Sequence, residues 1–265
     1  MNQNRFFTYF FFLICSAITM QVSGAVQGAE QIALFTIPKT GSNMLCKLIT
    51  ELTGKRPTWP PHRVNWKTHY WWEHPQGGNI GNYLNGRIKI IGTYRDPRDQ
   101  IISCVRWAFK CNHLRTPDKT VQQVALEMLQ NYGAAYRSNF GAPFANYAGA
   151  RTLDAMYAPV MQWEKYPQVL MVYFENLVGP RGGGSREVQL DEIRRIANHL
   201  EVKLSQERLE EIADNLFGGT STFMGGQIGT WRQYFGPEHV DLIKKSCGST
   251  LVQLGYERDE NWTYS

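Results

Sequence analysis

The sequence predicts an α/β fold, a single domain built on an open, mostly parallel β-sheet flanked by helices. Apolar, β-prone runs at Ile32 to Ile37, Arg87 to Tyr94 and Val169 to Phe174 have the length and content of strands. Amphipathic helical patterns stand between these runs, as the crossovers of a parallel sheet require. Each run leads into a turn carrying charged residues or glycine. In open α/β sheets ligands bind at that edge, outside the carboxyl ends of the strands.

Composition bounds the answer before any motif is read. A chain of 265 residues, 43% hydrophobic and 19% charged, is long enough for one full core and too apolar for a disordered chain. The net charge of +5 is modest and is not gathered into runs. That excludes a dedicated nucleic-acid binder and suits an enzyme handling an anionic small molecule.

The first 30 residues read as targeting. A polar start with Arg5 precedes an apolar run from Phe6 to Met20, and Ser23-Gly24-Ala25 offers small residues at a signal-peptidase spacing. The run is shorter than the roughly 18 residues of a membrane span. Residues 1–25 are therefore expected to be a cleaved signal peptide, or alternatively an uncleaved signal anchor. Residues 26–265 form the domain, secreted or in a secretory-pathway lumen, without membrane contact once the signal is removed.

Four cysteines then remain: Cys46, Cys104, Cys111 and Cys247. Cys104 and Cys111 fall on one helical pattern, where seven residues rise about 10 Å, too far for a disulfide. No Cys-x-x-Cys or Cys/His cluster is present, so no metal is expected, and the thiols read as small buried apolar residues.

After the opening strand comes Pro38-Lys39-Thr40-Gly41-Ser42-Asn43, then a helix through Met44, Leu45, Leu48, Ile49 and Leu52. A strand, a tight turn with glycine and a helix N-terminus make a ready anion site, since unbonded N–H groups and the helix dipole converge on the turn. The turn is not a Walker A loop, because Lys39 precedes Gly41 rather than following the last glycine. Thr53 to His62 reads as surface loop and Arg63 to His69 as a short second strand. Tyr70 to Gly86 is a further loop whose aromatics could wall a pocket. The Arg87–Tyr94 strand ends in Arg95-Asp96-Pro97-Arg98-Asp99, with Pro97 suited to the first position of a helix carrying Ile101, Ile102, Val105, Trp107, Ala108 and Phe109.

Pro117 to Tyr136 has helical spacing, Asn139 to Gly149 is irregular, and Leu153 to Trp163 is again helical. Val169 to Phe174 is the run of a strand buried on both faces. Pro180 to Ser185, with three consecutive glycines, reads as a flexible loop. Helices follow near Leu190–Leu200 and Ser205–Leu216. A glycine-rich loop, Gly218 to Gly229, and a last helix from Pro237 to Cys247 close the chain.

At these positions the sequence resembles a known family. Pro38-Lys39-Thr40-Gly41-Ser42-Asn43 is similar to the P-K-[ST]-G-[ST]-[TN] loop of sulfotransferases that use 3′-phosphoadenosine 5′-phosphosulfate (PAPS). Lys67-Thr68-His69 resembles their K-[TS]-H segment. Tyr94 to Asp99 with Ser103 resembles their R-[ND]-x-x-D-x-x-x-S stretch, and Phe174-Glu175-Asn176-Leu177 their Y-E-[DN]-[LM]. The four matches stand in the family's order, from Ile32 to about Trp231.

The resemblance implies a P-loop-NTPase-like sulfotransferase architecture, PAPS as donor substrate and no metal. It makes His69 the general base, Lys39 the cation on the leaving phosphate oxygen, and Lys67 a partner for the sulfonyl oxygens. These roles are chemically apt: imidazole titrates near neutrality, and group transfer to oxygen is catalysed mainly by positioning and charge neutralisation. Donor binding would fall to Lys39, Thr40, Gly41, Ser42, Asn43, Met44, Arg95, Ser103, Phe174 and Gly226, with Arg95 and Ser103 on the 3′-phosphate. The acceptor is expected to be a hydroxyl, or alternatively an amine, of a small molecule or glycan, in a pocket lined by the Trp66–His74 loop and the segments around Trp107 and Tyr147.

The chain departs from the family pattern at three places. Met44 stands where the family has Trp, and Phe174 where it often has Tyr. Met224-Gly225 replaces the Arg-Lys pair of R-K-G-x-x-G-x-W-[KR], although Gly226, Gly229, Trp231 and Arg232 remain. The N–H groups of Gly225 and Gly226 are the candidates to stand in for that pair. A kinase-like P-loop enzyme is a weaker alternative without a Walker A loop. A non-catalytic nucleotide- or glycan-binding protein on the same fold is the other alternative.

Overall fold

The computed structural model describes residues 31–55, the backbone of 66–67, and residues 83–84, 88–140, 150–220 and 222–263. The expected signal segment, the aromatic loop with His69, the Lys67 side chain and Tyr147 lie outside the described residues.

Among the described residues a parallel sheet of order β2-β1-β3-β4 is formed by β1 (Gln31–Thr36), β2 (Trp66–Lys67), β3 (Ile88–Tyr94) and β4 (Val169–Tyr173). β1 alternates its apolar residues between the two faces. Ile32 and Leu34 join Ile91 and Val172 against α1 (Ser42–Thr53), α7 (Arg186–His199) and α8 (Gln206–Leu216). Ala33 and Phe35 turn to the other face, where Phe35 meets Trp163 edge-on at 4.4 Å. Beyond that cluster lie α2 (Pro97–Lys110), α3 (Val121–Gln130), α4 (Tyr132–Asn139), α5 (Leu153–Met161) and α9 (Pro237–Gln253), around a core including Ile101, Val105, Met128, Tyr157 and Ile243. The sheet is thus covered by helices on both sides.

Register brings the strand ends together. Thr36 pairs with Thr93, and Thr93 and Tyr94 pair with Val172 and Tyr173. The turn after β1, Arg95 after β3 and Phe174 after β4 therefore emerge at one edge. Lys67 pairs through its backbone with Ala33, three residues short of the end of β1.

Several expected elements differ in detail. β4 stops at Tyr173, and Phe174 opens a short helix, α6 (Phe174–Leu177). The strand lies at the edge of the sheet among the described residues; its centre is covered on both faces, Met171 by one core cluster and Val172 by the other, whereas Val169, Leu170 and Tyr173 are only half-buried. The Pro117–Tyr136 pattern is two helices. Asn131, extended at φ −157°, ends α3 and caps α4 by accepting the Ala134 N–H at 3.1 Å.

The Leu153–Trp163 pattern tightens into a 3₁₀ turn after Met161. The last helix runs past Cys247, which kinks it, to Gln253. All four cysteines are free thiols; Cys104 and Cys247 are buried, whereas Cys46 and Cys111 are half-buried. No helix among the described residues is long and apolar enough to cross a membrane.

Candidate anion-binding site

The edge where the strands end opens into a cavity of about 290 Å³. Its floor is the turn between β1 and α1. Gly41 caps α1 at φ +100°, a conformation that disfavours any side chain, and a Cβ there would stand 2.9 Å from the Phe174 ring. The first intrahelical bond runs from Leu45 N–H to Gly41 C=O at 2.9 Å. The N–H groups of Ser42, Asn43 and Met44 therefore have no carbonyl within their own helix, and all three residues line the cavity. No acidic residue occupies that first turn, so the N-terminal partial charge is left for a ligand.

Lys39 bends the chain at φ +68°, a strained conformation for a residue with a Cβ. Its ammonium donates to the Thr222 carbonyl at 3.0 Å and lies 5.1 Å from the centre of the Trp107 ring. Burial, reinforced by the neighbouring Arg95 charge, lowers its pKa to about 8. Asn43 reaches the same loop, donating to the Thr222 hydroxyl at 2.5 Å. Ser42 Oγ is paired with Thr36 Oγ1 at 2.7 Å.

Arg95 is 5% exposed. Its guanidinium donates to the carbonyls of Lys39 at 3.2 Å and Gln227 at 3.3 Å, and stacks 4.2 Å from the centre of the Phe174 ring. The arginine thus joins three segments distant in sequence. Its Nε is buried with no hydrogen-bond partner among the described residues. Ser103, two turns into α2, lines the cavity with Cys104 and Trp107.

Of the expected donor-binding residues, Lys39, Gly41, Ser42, Asn43, Met44, Arg95, Ser103, Phe174 and Gly226 converge on this cavity. Thr40 does not. Its side chain is buried, with Oγ1 bonded to the Ile37 carbonyl and to Thr93 Oγ1, the latter at 2.6 Å, and its N–H bonds Ile37 C=O. It braces β1 against β3 rather than facing a ligand. Trp107, expected near an acceptor, is in the wall.

In the glycine-rich loop opposite, sequence reasoning found Gly226 but missed its neighbours. Phe217, Thr220, Thr222 and Phe223 close the cavity, yet nothing in their residue types marks them out. None of the described residues that line it is acidic, although Lys39 and Arg95 are cationic. An anion is what such a wall accepts. Among the described residues, no group of three or more His, Cys, Asp or Glu is placed to hold a metal ion.

Behind the cavity, carboxylates hold the segments in place. Asp99 is 1% exposed and accepts the N–H groups of Gly229 and Trp231 at 2.7 and 2.8 Å, tying the late glycine loop to α2. Burial raises its pKa to about 6. Glu175, raised to about 7 by burial, accepts the Asp96 N–H at 3.0 Å and the Tyr256 hydroxyl at 2.9 Å.

An Asp99→Asn chain keeps the shape but offers a single carbonyl oxygen to two N–H donors, so one faces an amide NH₂. Its urea midpoint at pH 7 should report a loss of about 1–3 kcal/mol. A chain within about 0.5 kcal/mol of the parent, the range of an ordinary surface change, would show that this clamp does not hold the loop.

No family model matches the chain, and no curated protein sequence matches it either. Solved structures do. The mouse sulfotransferase SULT7A1 complexed with PAP superposes with a TM-score of 0.59 at 15% identity, covering 87% of each chain. Retinol dehydratase in complex with androsterone and inactive cofactor PAP gives 0.57 at 15% identity, over 84% of this chain and 81% of that one. Retinol dehydratase with retinol and PAP gives 0.57 at 15% identity, over 89% and 84%. The chain has the sulfotransferase fold.

Proposed function

We propose that this chain is a sulfotransferase that moves the sulfonyl group of PAPS to a hydroxyl, or alternatively an amine, of a small molecule or glycan. The observation that carries the reading is the cavity, with no acid among the described residues that line it, in which Lys39, Arg95, Ser103 and the first turn of α1 meet at the carboxyl edge of a parallel sheet. The sulfotransferase fold and the PAP named in the related structures agree with it.

In the reaction the acceptor oxygen bonds to sulfur as the sulfur–oxygen bond to the nucleotide phosphate breaks. The sulfonyl group leaves the donor, and PAP remains. Lys39 would meet the charge growing on that phosphate oxygen. Its ammonium is held at the turn by a neutral carbonyl and an aromatic face rather than a carboxylate, so its charge is available to the donor. His69 would take the acceptor's proton, with Lys67 beside the sulfonyl oxygens. Arg95 and Ser103 would hold the 3′-phosphate, and the α1 N-terminus the 5′-phosphate side. The reading also assigns residues 1–25 to export, with the domain working in a lumen supplied with the donor.

Thermal stabilisation by PAP, compared with AMP and ATP, tests this directly. A hundredfold excess over Kd should raise the melting temperature by about 5 °C or more. AMP, lacking the 3′-phosphate, should do much less, and Arg95→Ala should remove the difference. Equal responses to PAP and AMP would sink the donor assignment. PAP binding without transfer to any screened acceptor, with His69→Ala indistinguishable from the parent, would favour a non-catalytic nucleotide-binding protein. The altered Met224-Gly225 positions are the feature behind that second reading.

A further inference from the structure

We infer that Arg106 is a donor-binding residue, supplying from helix α2 a second guanidinium for the 3′-phosphate. The inference rests on the PAPS reading above and identifies a contact that reading does not include. Arg106 follows Ser103 by three residues on α2, so the two share a face of the helix. Ser103 lines the cavity, as do Met224 and Gly226 across from it.

Between those two residues is Gly225, at φ +99°. The direction in which a side chain at Gly225 would project is occupied by the Arg106 guanidinium, whose Nη1 and Nη2 lie 3.8 and 3.9 Å from where its Cβ would stand. The late loop itself carries no cation from Gly218 to Thr230. Arg106 therefore puts positive charge against a stretch of loop that has none of its own. No acid among the described residues forms an ion pair with it. One turn further along α2, Lys110 donates to the Phe223 carbonyl at 3.4 Å, and at the start of α2 Asp99 accepts the Gly229 N–H at 2.7 Å, so the helix holds the loop on both sides of Gly225.

A phosphate bound by Ser103 and Arg95 at this rim would have Arg106 beside it. The planar guanidinium can offer two parallel N–H groups to phosphate oxygens, which an ammonium cannot do. The specificity that follows is for a nucleotide phosphorylated at the 3′ position as well as the 5′.

The test measures Kd for PAP and AMP by calorimetry on the purified full-length chain and on Arg106→Ala, Arg106→Lys and Arg106→Ala with Met224→Arg. The parent is expected to prefer PAP. Arg106→Ala should weaken PAP by at least about tenfold with AMP within about threefold, the loss of one charge-assisted contact. Arg106→Lys should recover only part of it, and Met224→Arg should restore PAP binding from the loop side. If the parent shows no PAP preference, the donor reading falls and this inference with it. If the parent prefers PAP and Arg106→Ala keeps that preference, the inference alone is overturned. An equal loss for both nucleotides, or an unbound apo melting temperature lowered by several degrees, marks a structural role and overturns it too.

Discussion

Sulfonyl transfer by a Lys39→Met chain is expected to fall by about 10²–10³-fold, while its affinity for PAP falls far less. The comparison is with removal of a single preorganised donor from developing oxyanion charge, which costs that much in other enzymes. Methionine keeps an unbranched apolar chain and removes the charge that faces Trp107 together with its hydrogen bond to Thr222. Because the new charge on the phosphate oxygen is larger in the transition state than in the bound donor, the loss belongs mainly to kcat.

The pH dependence has a definite sign. Burial lowers the Lys39 pKa to about 8 in the free chain, so the ammonium form predominates below that pH and gives way to the neutral amine above it. A polyanion binds the ammonium form, so donor affinity should fall as pH rises through about 8, by at most tenfold per unit. Lys39→Met should flatten that dependence. Turnover within threefold of the parent, or an unchanged pH slope, would remove Lys39 from the chemistry. Arginine is not an expected rescue, because its bulk and fixed plane do not fit a site built around a point charge at a strained turn.

The parts of this site legible in the sequence are those in which local chemistry and global fold agree. β1, its glycine turn and α1 are contiguous, and the apolar run, the glycine and the helical spacing each report the same geometry. Arg95 and Phe174 follow from the rule that ligands gather beyond parallel strand ends, since β3 and β4 end there in register. Side-chain direction is another matter. Thr40 belongs to the motif but turns inward to Thr93, a choice made by the packing of two strands and invisible in either alone.

Composition also misleads at Pro180 to Ser185, expected to be flexible. Pro180–Gly182 is a 3₁₀ turn, and a Cβ on Gly182 would lie 2.0 Å from Val178 Cγ2 and 2.7 Å from the Gly226 carbonyl. The glycine there permits close approach of two segments, and the Ile228 N–H bonds the Gly182 carbonyl at 3.0 Å. Thr222 could not be found from sequence at all, because its partner Lys39 lies 183 residues away.

The buried cation behind the site should be the costliest residue to lose. Arg98→Ala is expected to destabilise the chain by about 3–5 kcal/mol in urea unfolding, the range for breaking a buried ion pair from one side. Arg98 is 3% exposed and donates through Nε and Nη2 to Asp96 at 2.8–3.1 Å, and through Nη1 to Glu257. Its guanidinium also packs against two indoles that meet edge-on, 4.3 Å from the centre of the Trp231 ring and 4.9 Å from that of Trp262.

Truncation would leave two carboxylates without their cation and a gap beside the two rings. The charge and packing contributions separate in a second chain. Arg98→Met fills the space but leaves both acids unpaired, so it should recover little. Adding Asp96→Asn and Glu257→Gln removes the stranded charges, keeps an N-cap on α2, and should recover most of the loss.

The same substitutions reach the donor site, because Trp231 is where Asp99 anchors the late loop. PAP affinity should therefore fall in Arg98→Ala and return in the triple variant, in step with stability. If the triple variant stays as unstable as Arg98→Ala, the ion pairs are not what Arg98 contributes. Stability regained without affinity would instead separate the Arg98 pillar from the loop it is argued to support.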